Sequence, residues 1–250
     1  MQVVRVTLAV LRQVAVDQPV GVSALARALE LPKSTTQRHL KLLAEEGWLV
    51  ESGADHAKWE LGPASQELAR RAPAELNLRD AALPAMHRLA AAQRETVYMA
   101  VPSGEAAVLI ERVDSPQPVR TYNALGTQVP LHGPATGKAI LAHLPGPMRE
   151  NVLNSPLTRF NPRTLHAEDL ARQLDEVRTN GFAVNVCEWR PDVVGFASPV
   201  LDGDGAPLCS IGLSMPASRY APERLHEWGA ATIVAATEIR TSLGLRTPLL

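Results

Sequence analysis

Aromatic side chains are scarce, at 4% of 250 residues, and there are only two cysteines, Cys187 and Cys209. Two thiols cannot build a disulfide scaffold or a structural zinc module, and such cysteine usage fits the cytoplasm, where the chain is expected to reside. The sequence also lacks any apolar run near the ~18 residues that a membrane span requires, so no membrane partner is expected. The first residues, MQVVRVTLAVLRQ, are interrupted by Arg5 and Arg12 and carry no small-residue cleavage site, so they do not read as a signal peptide. An excess of one charge is missing too. The net charge of −1 argues against a general polyanion binder.

What is present is the composition of a globular chain, 46% hydrophobic and 20% charged. At roughly 150 residues per domain, it holds one or two domains. Val4, Leu8, Leu11 and Ala15 recur at helical spacing and predict a first helix over 3–16. A second helix starts near Gly21 or Ser23 and buries Leu25, Ala26 and Leu29. After Pro32 a third runs to about Glu46 and stops at Gly47. Two short alternating runs, Trp48-Leu49-Val50 and Lys58-Trp59-Glu60-Leu61, flank a polar stretch and read as a β-hairpin. Three helices followed by a hairpin make a winged helix-turn-helix over residues 1–62. An Ala-rich, charged connecting helix is expected over 63–76, interrupted near Pro73.

The remainder, 77–250, alternates helical and strand-like patterns. Helices are expected over 80–93, 135–144, 148–154, 167–179 and 222–243. Strands are expected over 96–101, 107–113, 119–125, 182–189, 193–201 and 207–215, with 126–133 as a loop. The result is an α+β domain around a mostly antiparallel sheet.

The third helix carries the first chemical signal. Residues 1–62 hold seven basic and seven acidic residues, yet 31–44 contain Lys33, Arg38 and Lys41 and no acid. Projected at about 100° per residue, Thr36, Leu40 and Leu43 cluster on one side, and Ser34, Arg38, Lys41 and Glu45 lie opposite. A helix entering the major groove needs short polar groups at its N-terminal end, long donors for base edges and basic residues for phosphates. Ser34, Thr35 and Thr36 meet the first need, Gln37 and Arg38 the second, Lys33 and Lys41 the third, with Lys58 on the hairpin. His39 projects nearer the apolar side and is either packed or a contact. An ordinary amphipathic helix with a solvated basic face is the alternative.

The motifs LPKSTTQRHLKLL, Gly47-Trp48-Leu49 and Trp59-Glu60-Leu61-Gly62 resemble the IclR family of bacterial transcription regulators. The resemblance continues through PLHGPATGKA at 130–139, through Leu170, Leu174, Val177-Arg178 and Gly181-Phe182-Ala183, and through Ala197-Ser198-Pro199-Val200. It implies a winged helix joined to a GAF/profilin-like effector-binding domain with a mostly antiparallel sheet. It further implies double-stranded operator DNA as partner, a small carboxylate or aromatic acid as effector, and a homodimer or homotetramer. In the family the stretch Gly133, Pro134, Ala135, Thr136, Gly137 borders the effector pocket, and the stretch that holds Asn185, Cys187 and Gly195 lines its opposite side. Gly212 and Ser214 on the last strand match family positions where hydroxyls can bind a carboxylate. The family commonly has Thr in place of Pro134 and an acid in place of Cys187. Asp192 stands at a usual Gly and Gly195 near a usual Cys.

Read as residues, GPATGK at 133–138 approaches a P-loop, but three residues separate its glycines and Ala139 replaces the Mg²⁺-binding hydroxyl. A loop opening a helix, with free backbone N–H groups suited to a carboxylate, fits better; a plain tight turn is the alternative. Cys187 is either a packed thiol or a redox sensor, and Trp189 either a wall for a ligand or a packed ring. Histidines 132, 143, 166 and 226 are scattered, and no nucleophile elbow or paired carboxylates stand out. No catalytic residue, cofactor or metal is therefore expected. Two other readings remain: a small-molecule enzyme with an accessory winged helix, and a winged helix that binds protein.

Overall fold

The computed structural model describes residues 2–53, 58–71 and 78–245. The chain divides into two compact units, Met1–Ala74 and Glu75–Leu250.

The first unit runs α1 (Gln2–Asp17), β1 (Val20–Gly21), α2 (Val22–Ala28), α3 (Lys33–Glu45), β2 (Leu49–Ser52), β3 (Lys58–Leu61) and α4 (Pro63–Arg71). β2 and β3 pair antiparallel as the wing, and β1 joins the other edge of β3, a third strand that the sequence does not announce. The wing residues 54–57 and the expected helix break at Pro73 lie outside the described residues. Val10, Val14, Leu25, Leu40, Leu43 and Trp59 form the core. The residues whose spacing predicts α1 are not the ones it buries most deeply, although Leu11 packs against this core. Val4 is 62% and Leu8 46% exposed, while Val10 and Val14 are fully buried. Apolar residues occupy nearly every side of this helix, so spacing alone does not single out the face that packs.

α1 and α3 are joined by a polar contact as well. Thr7 Oγ1 donates to the Val3 carbonyl at 2.9 Å, and His39 Nδ1 lies 2.9 Å from the same oxygen. A hydroxyl has one proton, so Nδ1 of His39 is the donor. His39 is therefore packed. Burial, and then the charge of Arg38, hold its imidazole below the usual histidine pKa. Protonation is thus disfavoured in the folded state. Stability should be level above the unfolded value of about 6.5 and fall as pH drops through it toward the folded value. Urea midpoints measured from about pH 8 to about pH 5 should decline for the wild type and decline less for His39→Gln. Parallel curves would remove His39 as a source of the acid sensitivity.

The second unit runs α5 (Leu78–Gln93), β4 (Thr96–Ser103), β5 (Ala106–Val113), β6 (Gln128–Pro130), α6 (Ala135–Leu141), α7 (Gly146–Asn154), α8 (Ala167–Asn180), β7 (Ala183–Val186), β8 (Val193–Leu201), β9 (Pro207–Pro216) and α9 (Leu225–Ser242). Its six strands lie in the order β6-β5-β4-β9-β8-β7, and every pairing is antiparallel. Strand alternation sends Val97, Met99, Ile211, Leu213 and Met215 to one face, under α5 and α9. It sends Tyr98, Ala100, Leu109 and Ala197 to the other, under α6 and α8.

The expected strand over 119–125 is absent, although its residues alternate. Side chains hold this segment instead of a ladder. Arg219 donates to the Val119 carbonyl at 2.8 Å, Arg112 to the Asn123 carbonyl at 2.7 Å, and the Asn123 N–H to the Tyr98 hydroxyl at 2.8 Å. The expected loop over 126–133 contains the short edge strand β6, which pairs with β5. Strand β7 and helix α6 are shorter than their sequence patterns, and a 3-10 turn at Pro222–Arg224 precedes α9. Among the described residues no helix is long and apolar enough to cross a membrane.

Candidate functional site

α3 opens at Pro32, whose missing N–H costs nothing at a helix start, and closes at Glu46 before Gly47. Lys33, Ser34, Gln37, Arg38 and Lys41 are exposed, Thr35 is half-buried, and Lys58 is exposed on the wing. Lys33 and Gln37 line an open groove of about 450 Å³ whose opposite wall includes Glu51 and Trp59 of the wing. Thr36 is the correction in this set. It is fully buried, and its hydroxyl donates to the Pro32 carbonyl at 3.2 Å. It belongs to the apolar side that its projection indicated and cannot touch DNA in this conformation.

In the second unit the sheet register builds a cavity floor row by row. Asn185 of β7 pairs with Gly195 of β8, and Gly195 with Ser214 of β9. In the neighbouring row Ala197 pairs with Gly212, and Gly212 with Tyr98 of β4. Over this floor stands the start of α6. Pro134, Ala135 and Thr136 line one small cavity together with Asn185, Gly195, Gly212 and Ser214. Gly212 leaves no room for the hydroxyl that the family sometimes carries there, since a Cβ would lie 2.5 Å from the Phe196 carbonyl and 2.8 Å from the Ala197 Cβ.

Three expected residues are not brought to the cavity. Gly137 faces the end of β6, where a Cβ would stand 2.3 Å from the Pro130 carbonyl, so its role is to let α6 approach. Gly133 makes room for Trp189 and Phe160. Cys187 is buried in the core cluster under α5 and α9. Conversely, Tyr98, Leu109, Asn123, Val129, Trp189 and Val193 also line the cavity. Of these the sequence singles out only Trp189, as one of two alternatives. Tyr98 has a signal in strand alternation; Asn123 has none, because it lies in a segment without regular structure.

The cavity measures about 30 Å³. That holds about two water molecules and is far below the roughly 300–1,000 Å³ of occupied ligand pockets. A wider cleft of about 400 Å³ adjoins it, and Asn123, Trp189 and Val193 line both.

Beside the cavity lies a buried ion pair. Lys138 of α6 is fully buried, and its Nζ donates to Glu188 at 2.5 Å and to Gln173 of α8 at 2.6 Å. Burial pulls the lysine pKa down, and Glu188 and then Glu176 oppose that shift. Glu188 also anchors the loop after β7. Its carbonyl accepts from Thr164 at 2.8 Å and from Asn161 at 3.1 Å, and its N–H donates to Asn185 at 2.9 Å. Lys138 is therefore a structural cation, not a phosphate ligand. Among the described residues no group of three or more His, Cys, Asp or Glu could hold a metal ion.

Comparison with known proteins matches 3–53 to the IclR helix-turn-helix domain and 71–241 to the bacterial transcriptional regulator IclR C-terminal domain. The HTH-type transcriptional repressor AllR of Klebsiella pneumoniae is 33% identical over 228 residues, covering 90% of this chain and 84% of the relative. The HTH-type transcriptional regulator KdgR of Dickeya chrysanthemi is 28% identical, covering 94% and 77%. Among solved structures, an IclR homolog from Microbacterium hydrocarbonoxydans complexed with 4-hydroxybenzoate is 29% identical. It matches with a TM-score of 0.81 over 95% of this chain and 97% of that one. A winged helix with an exposed basic α3, a six-stranded antiparallel sheet bearing a small cavity, and these matches over nearly the whole length lead to one conclusion: the chain belongs to the IclR family of DNA-binding bacterial transcriptional regulators.

Proposed function

We propose that residues 1–62 bind operator DNA, that 63–76 connect, and that 77–250 sense a small organic acid and mediate self-association. Two copies present their α3 helices to successive major grooves of a partly palindromic site. Arg38 and Gln37 read base edges, and Lys33, Lys41 and Lys58 contact phosphates, with Ser34 and Thr35 at the close approach. The observation that carries the sensing role is the convergence of Pro134, Ala135, Thr136, Asn185, Gly195, Gly212 and Ser214 on one cavity. The free N–H groups at the start of α6 and the Ser214 hydroxyl supply donors to a carboxylate. The 4-hydroxybenzoate complex of the Microbacterium homolog points to an aromatic acid as the first class to try. The chain acts in the cytoplasm as a dimer or tetramer and turns over no substrate. The effector shifts DNA affinity only by its preference for one conformation, typically ~1–3 kcal/mol.

Thermal unfolding against a panel of aliphatic and aromatic acids tests this reading. An acid present at 100 times its dissociation constant should stabilise the folded chain by about 2.7 kcal/mol, and Ser214→Ala should reduce the shift. A panel without any shift would remove the sensing role from this cavity.

A further inference from the structure

The cavity and the wider cleft beside it pose a problem of access. The inner space of about 30 Å³ does not admit an aromatic acid, and the outer cleft of about 400 Å³ does. The outer cleft has two walls. One is the segment Val119 to Asn123; the other is the loop from Trp189 to Val193, and Pro216 to Ser218 close one end. Among the described residues a single side-chain bond spans the walls: Arg190 Nη2 donates to Asn123 Oδ1 at 2.7 Å. The Arg190 guanidinium also lies 4.7 Å from the centre of the Trp189 ring. Trp189 and Asn123 are two of the three residues that line both cleft and cavity. The charged groups facing the cleft are Arg120, Arg190 and Asp192, one net positive charge. Arg120 is exposed and has no hydrogen-bond or ion-pair partner among the described residues.

We infer that the outer cleft is the capture site for the acid. Its carboxylate takes Arg190 from Asn123, and this exchange releases the partition to the inner cavity. The inference rests on the sensing role proposed above. The chemistry favours the exchange because a guanidinium binds a carboxylate through two parallel charge-assisted bonds, whereas the Asn123 amide offers one neutral acceptor. Arg120 adds attraction at the rim. Once Arg190 leaves, Trp189 loses the cation over its ring and Asn123 its bond across the cleft. Asn123 keeps its backbone anchors to Tyr98 and Arg112. The bond can therefore open without unravelling the 119–125 segment.

Two measurements test this. The first needs no ligand. Acrylamide quenching of Trp189, isolated by subtracting the same measurement on Trp189→Phe variants, should rise in Asn123→Ala and in Arg190→Gln. Both residues can be replaced without touching the core. Unchanged quenching in both overturns the partition, whatever ligand binds. The second uses 4-hydroxybenzoate and its neutral amide as probes in stopped-flow binding. Arg190→Gln should weaken the acid by about tenfold or more and slow its association, with little effect on the amide. Asn123→Ala should speed association of the acid. Acid binding of wild-type strength and rate in Arg190→Gln overturns capture by Arg190 while leaving the sensing role intact. If no acid of the panel above binds the wild type, the sensing role and capture by Arg190 both fall.

Discussion

Lys138→Met is expected to lower the unfolding midpoint of the second unit by on the order of 10 °C. The side chain is fully buried and Glu188 is 5% exposed, so neither charge can turn to water. Removing the lysine leaves a carboxylate in the interior without its counter-charge. Breaking a buried pair from one side costs about 3–5 kcal/mol, and a unit of this size loses about 2–4 °C per kcal/mol. The pair itself contributes far less than that, because both ions lose hydration on folding. The double variant Lys138→Met, Glu188→Gln should therefore recover most of the loss. Calorimetry of the two variants separates the cases. If both fall equally, the cost comes from altered packing of α6. If neither falls, the pair is not closed in solution.

Arg38→Ala should weaken specific operator binding by about 2–6 kcal/mol for a dimer on two half-sites, since one base-reading contact is worth about 1–3 kcal/mol. Arg38 is exposed at the outer side of α3, on a stretch that carries Lys33 and Lys41 and no acid. The substitution should relax sequence preference at one position of each half-site. Lys41→Ala should instead weaken all sequences alike and reduce the slope of log affinity against log salt by about 1 for each phosphate that the lysine no longer neutralises. Anisotropy titrations on operator and scrambled DNA at several salt concentrations distinguish the two. Equal weakening on both DNAs for Arg38→Ala would make it a phosphate contact, and unchanged affinity on both would place the interface elsewhere.

Much of this architecture is legible in the chain, and the failures share a cause. Helices with one apolar stripe, such as α3 and α8, emerge with their boundaries nearly right because burial enforces their period. α1 is apolar on several sides, and of the regularly recurring Val4, Leu8, Leu11 and Ala15 only Leu11 packs against the core. Residues 119–125 alternate like a strand but are tied down by Arg112, Arg219 and Tyr98, partners that no local pattern reveals. Of the candidate site, the residues on α6 and on the sheet floor are legible through motif and strand period. Asn123 and the Lys138–Glu188 pair are not, since they depend on which distant segments meet. Residue type assigns Thr36 to DNA, although its helical projection already places it inside.

The register of the large sheet has a consequence for how the protein is made. Thr96 of β4 pairs with Ser214 of β9, so the cavity floor joins the beginning of the second unit to nearly its end. The first unit closes within its own stretch of chain: β1 and β2 both pair with β3, and its helices pack on one another. On a ribosome, the first unit can therefore fold while most of the second is still unsynthesised, and the second must wait for β9. A chain cut short before β9 would carry the helices and paired strands of the first unit without the sheet that floors the cavity.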